Sequence, residues 1–358
     1  GDRHCAEALT NCAAPNPFFA LGHPTFMGNS TGNGHSRVPL EILNRNYPEV
    51  IDLPPPRMRA LRRPLWPAIL FFCLTLLMTL SAGALIATSF AQNVEPFSGN
   101  EGLFAIPLLP FQHPGMLLLG IPFSLTLLGF FMAHEMGHYL ACRYYGIDCS
   151  YPFFLPSPFP FGTFGAVIRI RAPITTRRAL FDIGIAGPIA GFIVAVPLTA
   201  YGIAASKVIP GVQEDGGLIF GFPGLMKIFM AMFHPGTEAK SLLFHPVALA
   251  AWIGLLATAL NLLPVWQLDG GHILYSLAPE RHQRLSLIAA VALVFLGVGY
   301  WHAWAFWGIG LLILSLRFPH PPPFDRWEAL DASRKLLACV GLVIFMLCIT
   351  LWPTNNLW

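Results

Sequence analysis

The sequence predicts an all-α polytopic membrane protein with about seven transmembrane helices, and three observations lead there. Apolar residues make up 55% of the 358 and charged residues only 11%, too little polar surface for an ordinary soluble domain of this length. Uncharged apolar stretches recur, each near the roughly 20 residues that a helix needs to cross the hydrocarbon core. Lysines and arginines gather in alternate connections between these stretches, as cytoplasmic loops do.

The stretches run over about residues 66 to 90, 116 to 133, 183 to 205, 243 to 263, 285 to 316 and 336 to 352. The fifth is too long for one helix. Gly297, Gly299 and Tyr300-Trp301-His302 place a tight interfacial turn inside it, so it counts as two helices. Arg57, Arg59, Arg62 and Arg63 precede the first stretch and set the N-terminus in the cytoplasm. Arg143, Arg169, Arg171, Arg177 and Arg178 follow the second, Arg281 and Arg284 the fourth, and Arg317, Arg326, Arg334 and Lys335 precede the last. Only Lys207, Lys227 and Lys240 fall on the opposite side.

Residues 1–64 are polar, rich in Gly, Pro and Asn and without periodicity, so they read as a mostly irregular cytoplasmic tail ahead of a membrane domain over 65–358. Pro54-Pro55-Pro56 is a stiff linker. Cys5 and Cys12, beside His4, lack the tight spacing of a zinc knuckle, and the remaining cysteines form no disulfide framework. Cys73, Cys339 and Cys348 read as small apolar residues of spans, and Cys142 and Cys149 as reduced thiols near the cytoplasmic face. The chain starts at Gly1, which leaves room for upstream sequence. The formal net charge is +3 and the basic residues form no stripe, which gives no case for a nucleic-acid partner.

Tyr151 to Pro173 is rich in Pro, Phe and Gly, and Phe164 to Arg171 alternates apolar and basic residues as a short strand does. Such a strand either packs on the helices or offers a free edge to a guest peptide. In the outer loop, 206 to 244, the apolar segment 218 to 233 reads as lying on the membrane or dipping into it.

The second stretch carries His134, Glu135 and His138 in the order His-Glu-x-x-His. Ionisable groups at membrane depth are expensive, so a cluster of them marks function. Positions four apart share a helix face one turn apart, so both imidazoles can serve one metal, and Glu135 on the adjacent sector can reach water there. A catalytic zinc usually has three protein ligands. The best source for the third is Asn261-Leu-Leu-Pro264-Val-Trp-Gln-Leu-Asp269-Gly270-Gly271-His272. There Pro264 breaks a helix, and Gly270 and Gly271 permit unusual backbone angles that turn Asp269 inward. His272 is the second choice.

Together, His134-Glu-Met-Gly-His138 and Asn261-x-x-Pro264-x-x-x-Leu268-Asp269-Gly270 resemble the two signatures of the site-2 protease family of intramembrane zinc metalloproteases. Gly162-Thr-Phe-Gly165-Ala-Val-Ile and Gly187-Pro188-Ile-Ala-Gly191 resemble that family's membrane-associated β-hairpin and its glycine-rich third core helix. The resemblance covers about residues 115–280 and implies a three-helix catalytic core. It further implies that His134, His138 and Asp269 bind Zn2+, that Glu135 is the general base, and that Asn261 helps hold substrate backbone. Gly165, Val167 and Ile168 of the hairpin are the expected edge for the substrate, and Pro264, Gly270, Gly187 and Gly191 are structural motif residues. The implied substrates are single-span membrane proteins or peptides cut within or near the bilayer, at a site facing the cytoplasm. A metal-ion transporter or sensor, or a non-catalytic scaffold of the same fold, is the alternative. A transporter would spread polar residues along a route on several helices; here they converge, and Glu135 has no necessary place beside a transport ligand.

The spacing of Gly187 and Gly191 by itself predicts close helix packing. Asp182, near Arg177 and Arg178 at a helix start, has a structural role favoured by the helix dipole.

Overall fold

Lipid offers no hydrogen bonds, so a long apolar segment satisfies its backbone internally as a helix. In the computed structural model, residues 65–96, 108–158, 160–210, 212, 221–238, 241–323, 325 and 329–351 are described. The tail with His4, Cys5, Cys12, the triple proline and the first arginine cluster lies outside these residues, as do 213–220, Lys240, Arg326 and Trp352.

Helix α1 spans Trp66–Ala91, α2 Ile121–Tyr144 and α3 Arg177–Ala204. A 3-10 turn over Pro114–Gly120 leads straight into α2. After α3 come α4 (Gly224–Phe233), α5 (Pro246–Asn261), α6 (Asp269–Leu277), α7 (Pro279–Gly299), α8 (His302–Arg317) and α9 (Ala332–Cys348). Among the described residues four helical segments are long and apolar enough to cross a membrane: α1, Pro114–Tyr144, α3 and α7. Helices α4, α5 and α8 are apolar but shorter. Side chains such as Leu125, Ile193, Phe295, Val298 and Phe306 point outward and exposed, which suits a surface whose solvent is hydrocarbon.

The long fifth stretch is two helices, with the break at Tyr300-Trp301 between α7 and α8. The segment 218 to 233 yields α4 over its described part.

Strand β1 (Phe153–Pro156) pairs antiparallel with β2 (Thr163–Val167), with Phe153 opposite Val167 and Phe154 opposite Ala166. Beyond β2 the pairing continues only as a single bridge between Cys149 and Ile170, so the strand expected to Arg171 ends earlier. A second small sheet joins β3 (Lys207–Val208) to β4 (Leu242–Leu243).

Helix ends explain how the core is set. At the end of α2, Gly146 takes φ +66°, and the Ile147 N–H reaches back to the Cys142 carbonyl at 2.9 Å; this left-handed cap turns the chain toward the hairpin. The Thr176 side chain caps α3 by accepting the Ala179 N–H at 3.1 Å. Helix α3 packs along α2, α5 and α6 and so is the spine of the site. The buried rings of Phe123, Phe130, Phe181 and Trp252 belong to one hydrophobic core. Asp182 of α3 pairs with Arg334 of α9, 2.9 Å to Nε and 2.5 Å to Nη2, and accepts the Tyr145 hydroxyl. It ties three elements together rather than serving its own helix end alone.

Candidate metal centre

One turn of α2 brings the His134 and His138 rings together edge to face, with Nε2 to Nε2 at 3.2 Å. The helix fixes this pair, but their orientation needs a neighbour. The Ile183 carbonyl of α3 lies 2.7 Å from His138 Nδ1. A carbonyl only accepts, so Nδ1 carries the hydrogen and Nε2 keeps a lone pair for a metal.

Asp269 arrives from a distant segment. Helix α5 ends at Asn261, Pro264 follows, and α6 begins at Asp269. The unusual backbone angle in this turn belongs to Trp266, at φ +53°, and not to Gly270 or Gly271, which are absent from the positive-φ residues. The expectation that these two glycines supply unusual angles is thereby corrected. They are needed for close approach: a Cβ on Gly270 would stand 2.1 Å from the Leu262 carbonyl oxygen, and one on Gly271 would stand 2.3 Å from that of Trp266. The first turn of α6 thus lies against the end of α5, and Asp269 faces α2.

Asp269 Oδ2 comes to 3.2 Å from His134 Nε2 and 3.3 Å from His138 Nε2. It is buried and takes no hydrogen bond among the described residues. The three donor atoms form a nearly equilateral triangle. A tetrahedral zinc with bonds of about 2.0 to 2.1 Å places its donors roughly 3.3 Å apart. The residues therefore fit the ion. Among the described residues this is the sole group of three or more such side chains with ligand atoms within 4.8 Å of one another. His272, the second choice, is outside it; its Nδ1 meets His320 instead.

Glu135 is buried and accepts the backbone N–H of Ile168, just beyond β2. A cleft of about 230 Å3 opens beside the triangle, lined by Glu135, Val167, Ile168 and Asn261 among the expected residues, and by Gln267, Leu268 and His272 besides. The Asn261 Nδ2 stands 3.3 Å from His134 Nε2. Gly165 is not on the cleft wall; at φ +105° it packs on the Phe131 ring. Pro264, Gly187, Gly191 and Gly270 do not line it.

The pair in α3 has a specific object. A Cβ on Gly187 would lie 2.1 Å from His138 Nε2, and one on Gly191 would lie 3.2 Å from His134 Nδ1. What these glycines admit is the two imidazoles. Spacing alone predicts close packing and not its partner. The Ile183 carbonyl and the Ile168 N–H escape sequence reading altogether, because every residue offers the same backbone groups.

The sequence profile of peptidase family M50 matches residues 122–300, from α2 to the end of α7. "Probable zinc metalloprotease EGY1, chloroplastic" of Oryza sativa subsp. japonica is 29% identical over 255 residues, covering 69% of this chain and 42% of that protein. The Arabidopsis thaliana protein of the same name is 29% identical over 242 residues, 65% of this chain and 43% of its own length. "Probable zinc metalloprotease EGY2, chloroplastic" of Arabidopsis thaliana is 28% identical over 271 residues, 74% of this chain and 47% of that protein. The chain thus spans less than half the length of these relatives. The profile match takes in half of the chain and all three donors of the triangle, and on that ground the chain belongs to peptidase family M50.

Proposed function

We propose that the chain is an intramembrane zinc metalloendopeptidase that hydrolyses peptide bonds of single-span transmembrane substrates within or near the bilayer. The observation that carries this reading is the convergence of His134, His138 and Asp269 on one point, with Glu135 on the wall of the adjoining cleft. His134, His138 and Asp269 hold Zn2+. When bound, zinc supplies Lewis acidity toward a peptide carbonyl and brings the pKa of water down to about 7.

Glu135 takes the proton of the attacking water and returns it to the leaving nitrogen. Its hydrogen bond from Ile168 fixes the carboxylate on the cleft side. A helical substrate must first unwind, and its freed backbone groups need partners in lipid. The Asn261 amide and the β2 segment around Gly165, Val167 and Ile168 serve as those partners. A transporter or sensor, or an inactive scaffold, gives Glu135 no task.

The membrane domain is residues 65–358, with the catalytic core at about 115–280, and residues 1–64 are a cytoplasmic tail. Seven spans are α1, α2, α3, α5, α7, α8 and α9. Helix α5 and helix α8 have 16 residues each, about 24 Å at 1.5 Å per residue, and reach the full hydrocarbon thickness with their flanking turns. The arginine clusters set the N-terminus and the cleft toward the cytoplasm.

Glu135→Gln tests the enzyme reading. The variant is expected to keep zinc at the parent stoichiometry by elemental analysis and to leave a single-span peptide intact in micelles where the parent cuts it. Continued cleavage by the variant would sink the proposal.

A further inference from the structure

His272 of α6, on the cleft wall, meets His320 of the segment after α8, which in turn touches His282 of α7, with the Tyr275 ring stacked on His320 at 4.4 Å between centroids. The three histidines do not bring three donor atoms within 4.8 Å of one another, so they are not a second metal centre; His272 and His320 share a hydrogen bond, and His282 meets His320 by ring contact. The hydrogen bond has a fixed direction. His320 Nδ1 lies 2.9 Å from the Pro321 carbonyl oxygen, which can only accept, so Nδ1 carries the hydrogen. His320 is buried, and burial pushes its pKa down to about 3, so the ring is neutral and Nε2 holds a lone pair. That lone pair faces His272 Nδ1 at 2.8 Å, which makes His272 the donor. With its hydrogen committed at Nδ1, His272 keeps a lone pair on Nε2, and this ring lines the cleft beside the triangle. His272 is three positions on from Asp269, so both occupy one face of α6.

A peptide bound in the cleft brings N–H groups that give up water and need acceptors. Asp269 is committed to the metal and Glu135 to its proton. We propose that His272 Nε2 accepts a backbone N–H of the bound peptide, and that His320 is a positioning residue that acts through His272 by fixing its tautomer. This rests on the protease reading given above.

The test uses the full chain in micelles with a fluorophore-tagged single-span peptide that the parent cuts. His272→Ala is expected to lower kcat/KM about 10- to 100-fold, with zinc content and the absorption spectrum of the cobalt-substituted protein unchanged. His272→Gln, which returns an acceptor at similar reach, should recover much of the loss. His320→Leu should lower kcat/KM about tenfold in the parent and have no further effect in His272→Ala, as expected when one residue works only through another. An amide-to-ester scan along the peptide should find one position whose replacement hurts the parent but not His272→Ala. Additive losses, an altered cobalt spectrum, or parental kinetics in His272→Ala would overturn the inference while Glu135→Gln remains inactive. If Glu135→Gln still cuts, or the parent cuts nothing, the protease reading fails and this inference falls with it.

Discussion

Gly187→Ala puts one methyl group against the nitrogen that faces the metal position. The added Cβ would sit 2.1 Å from His138 Nε2 and 2.5 Å from both Cδ2 and Cε1. Ordinary contact begins at 3.4 Å, so ring or helix must yield by about 1.3 Å. The ring cannot swing away freely, because Nδ1 is held at 2.7 Å by the Ile183 carbonyl of the same helix. Zinc–nitrogen distances tolerate only about 0.2 Å, so the methyl displaces a ligand from coordinating range. Loss of outer support for a ligand reduces metal affinity about 10- to 100-fold, and displacement of the ligand itself should reach at least the upper figure. Overpacking between α2 and α3 adds about 1–3 kcal/mol of destabilisation. Gly191→Ala is the internal control: its Cβ meets His134 Nδ1 at 3.2 Å, a contact that a few tenths of an ångström relieves. Competition of purified protein against a zinc chelator, with peptide cleavage measured in parallel, reads both effects. Parental zinc affinity and activity in Gly187→Ala, or equal losses in the two variants, would refute the argument that this glycine makes room for the ligand ring.

Two further outcomes follow from the same geometry. A zinc chelator such as 1,10-phenanthroline should abolish cleavage and added Zn2+ should restore it, whereas a chelator-resistant activity would argue against the triangle as the reacting centre. Asp182→Asn should weaken the link between α3 and α9. The carboxylate makes two bonds to a partly buried Arg334, so a loss of about 2 kcal/mol is expected in reversible denaturation, with zinc affinity retained.

Much of the fold was legible because lipid imposes a simple rule on sequence. Long uncharged runs at α1, α2, α3 and α7 correspond to helices of spanning length, and the turn residues inside the longest run correspond to the α7–α8 break. The seven-span count adds shorter helices such as α5 and α8 to these four. The hairpin was legible as a strand but not in its extent, since alternation over 164 to 171 continues past the end of β2 at Val167. Asp182 was legible as a structural acid, while its partner, 152 positions away in sequence, was not.

By itself the sequence determined that two imidazoles and a carboxylate share one turn of a membrane helix, because 3.6 residues per turn makes positions 134 and 138 neighbours in any fold. It also marked Asp269 as the best partner, through the helix-breaking Pro264 nearby. Tertiary structure alone decided that Oδ2 of Asp269 comes within 3.2 and 3.3 Å of both rings, that Gly187 makes space for one of them, and that the Ile183 carbonyl sets its tautomer. The reason is physical: local periodicity fixes only near neighbours, whereas contacts across more than a hundred residues depend on how helices pack, and a backbone carbonyl carries no mark of the residue that owns it.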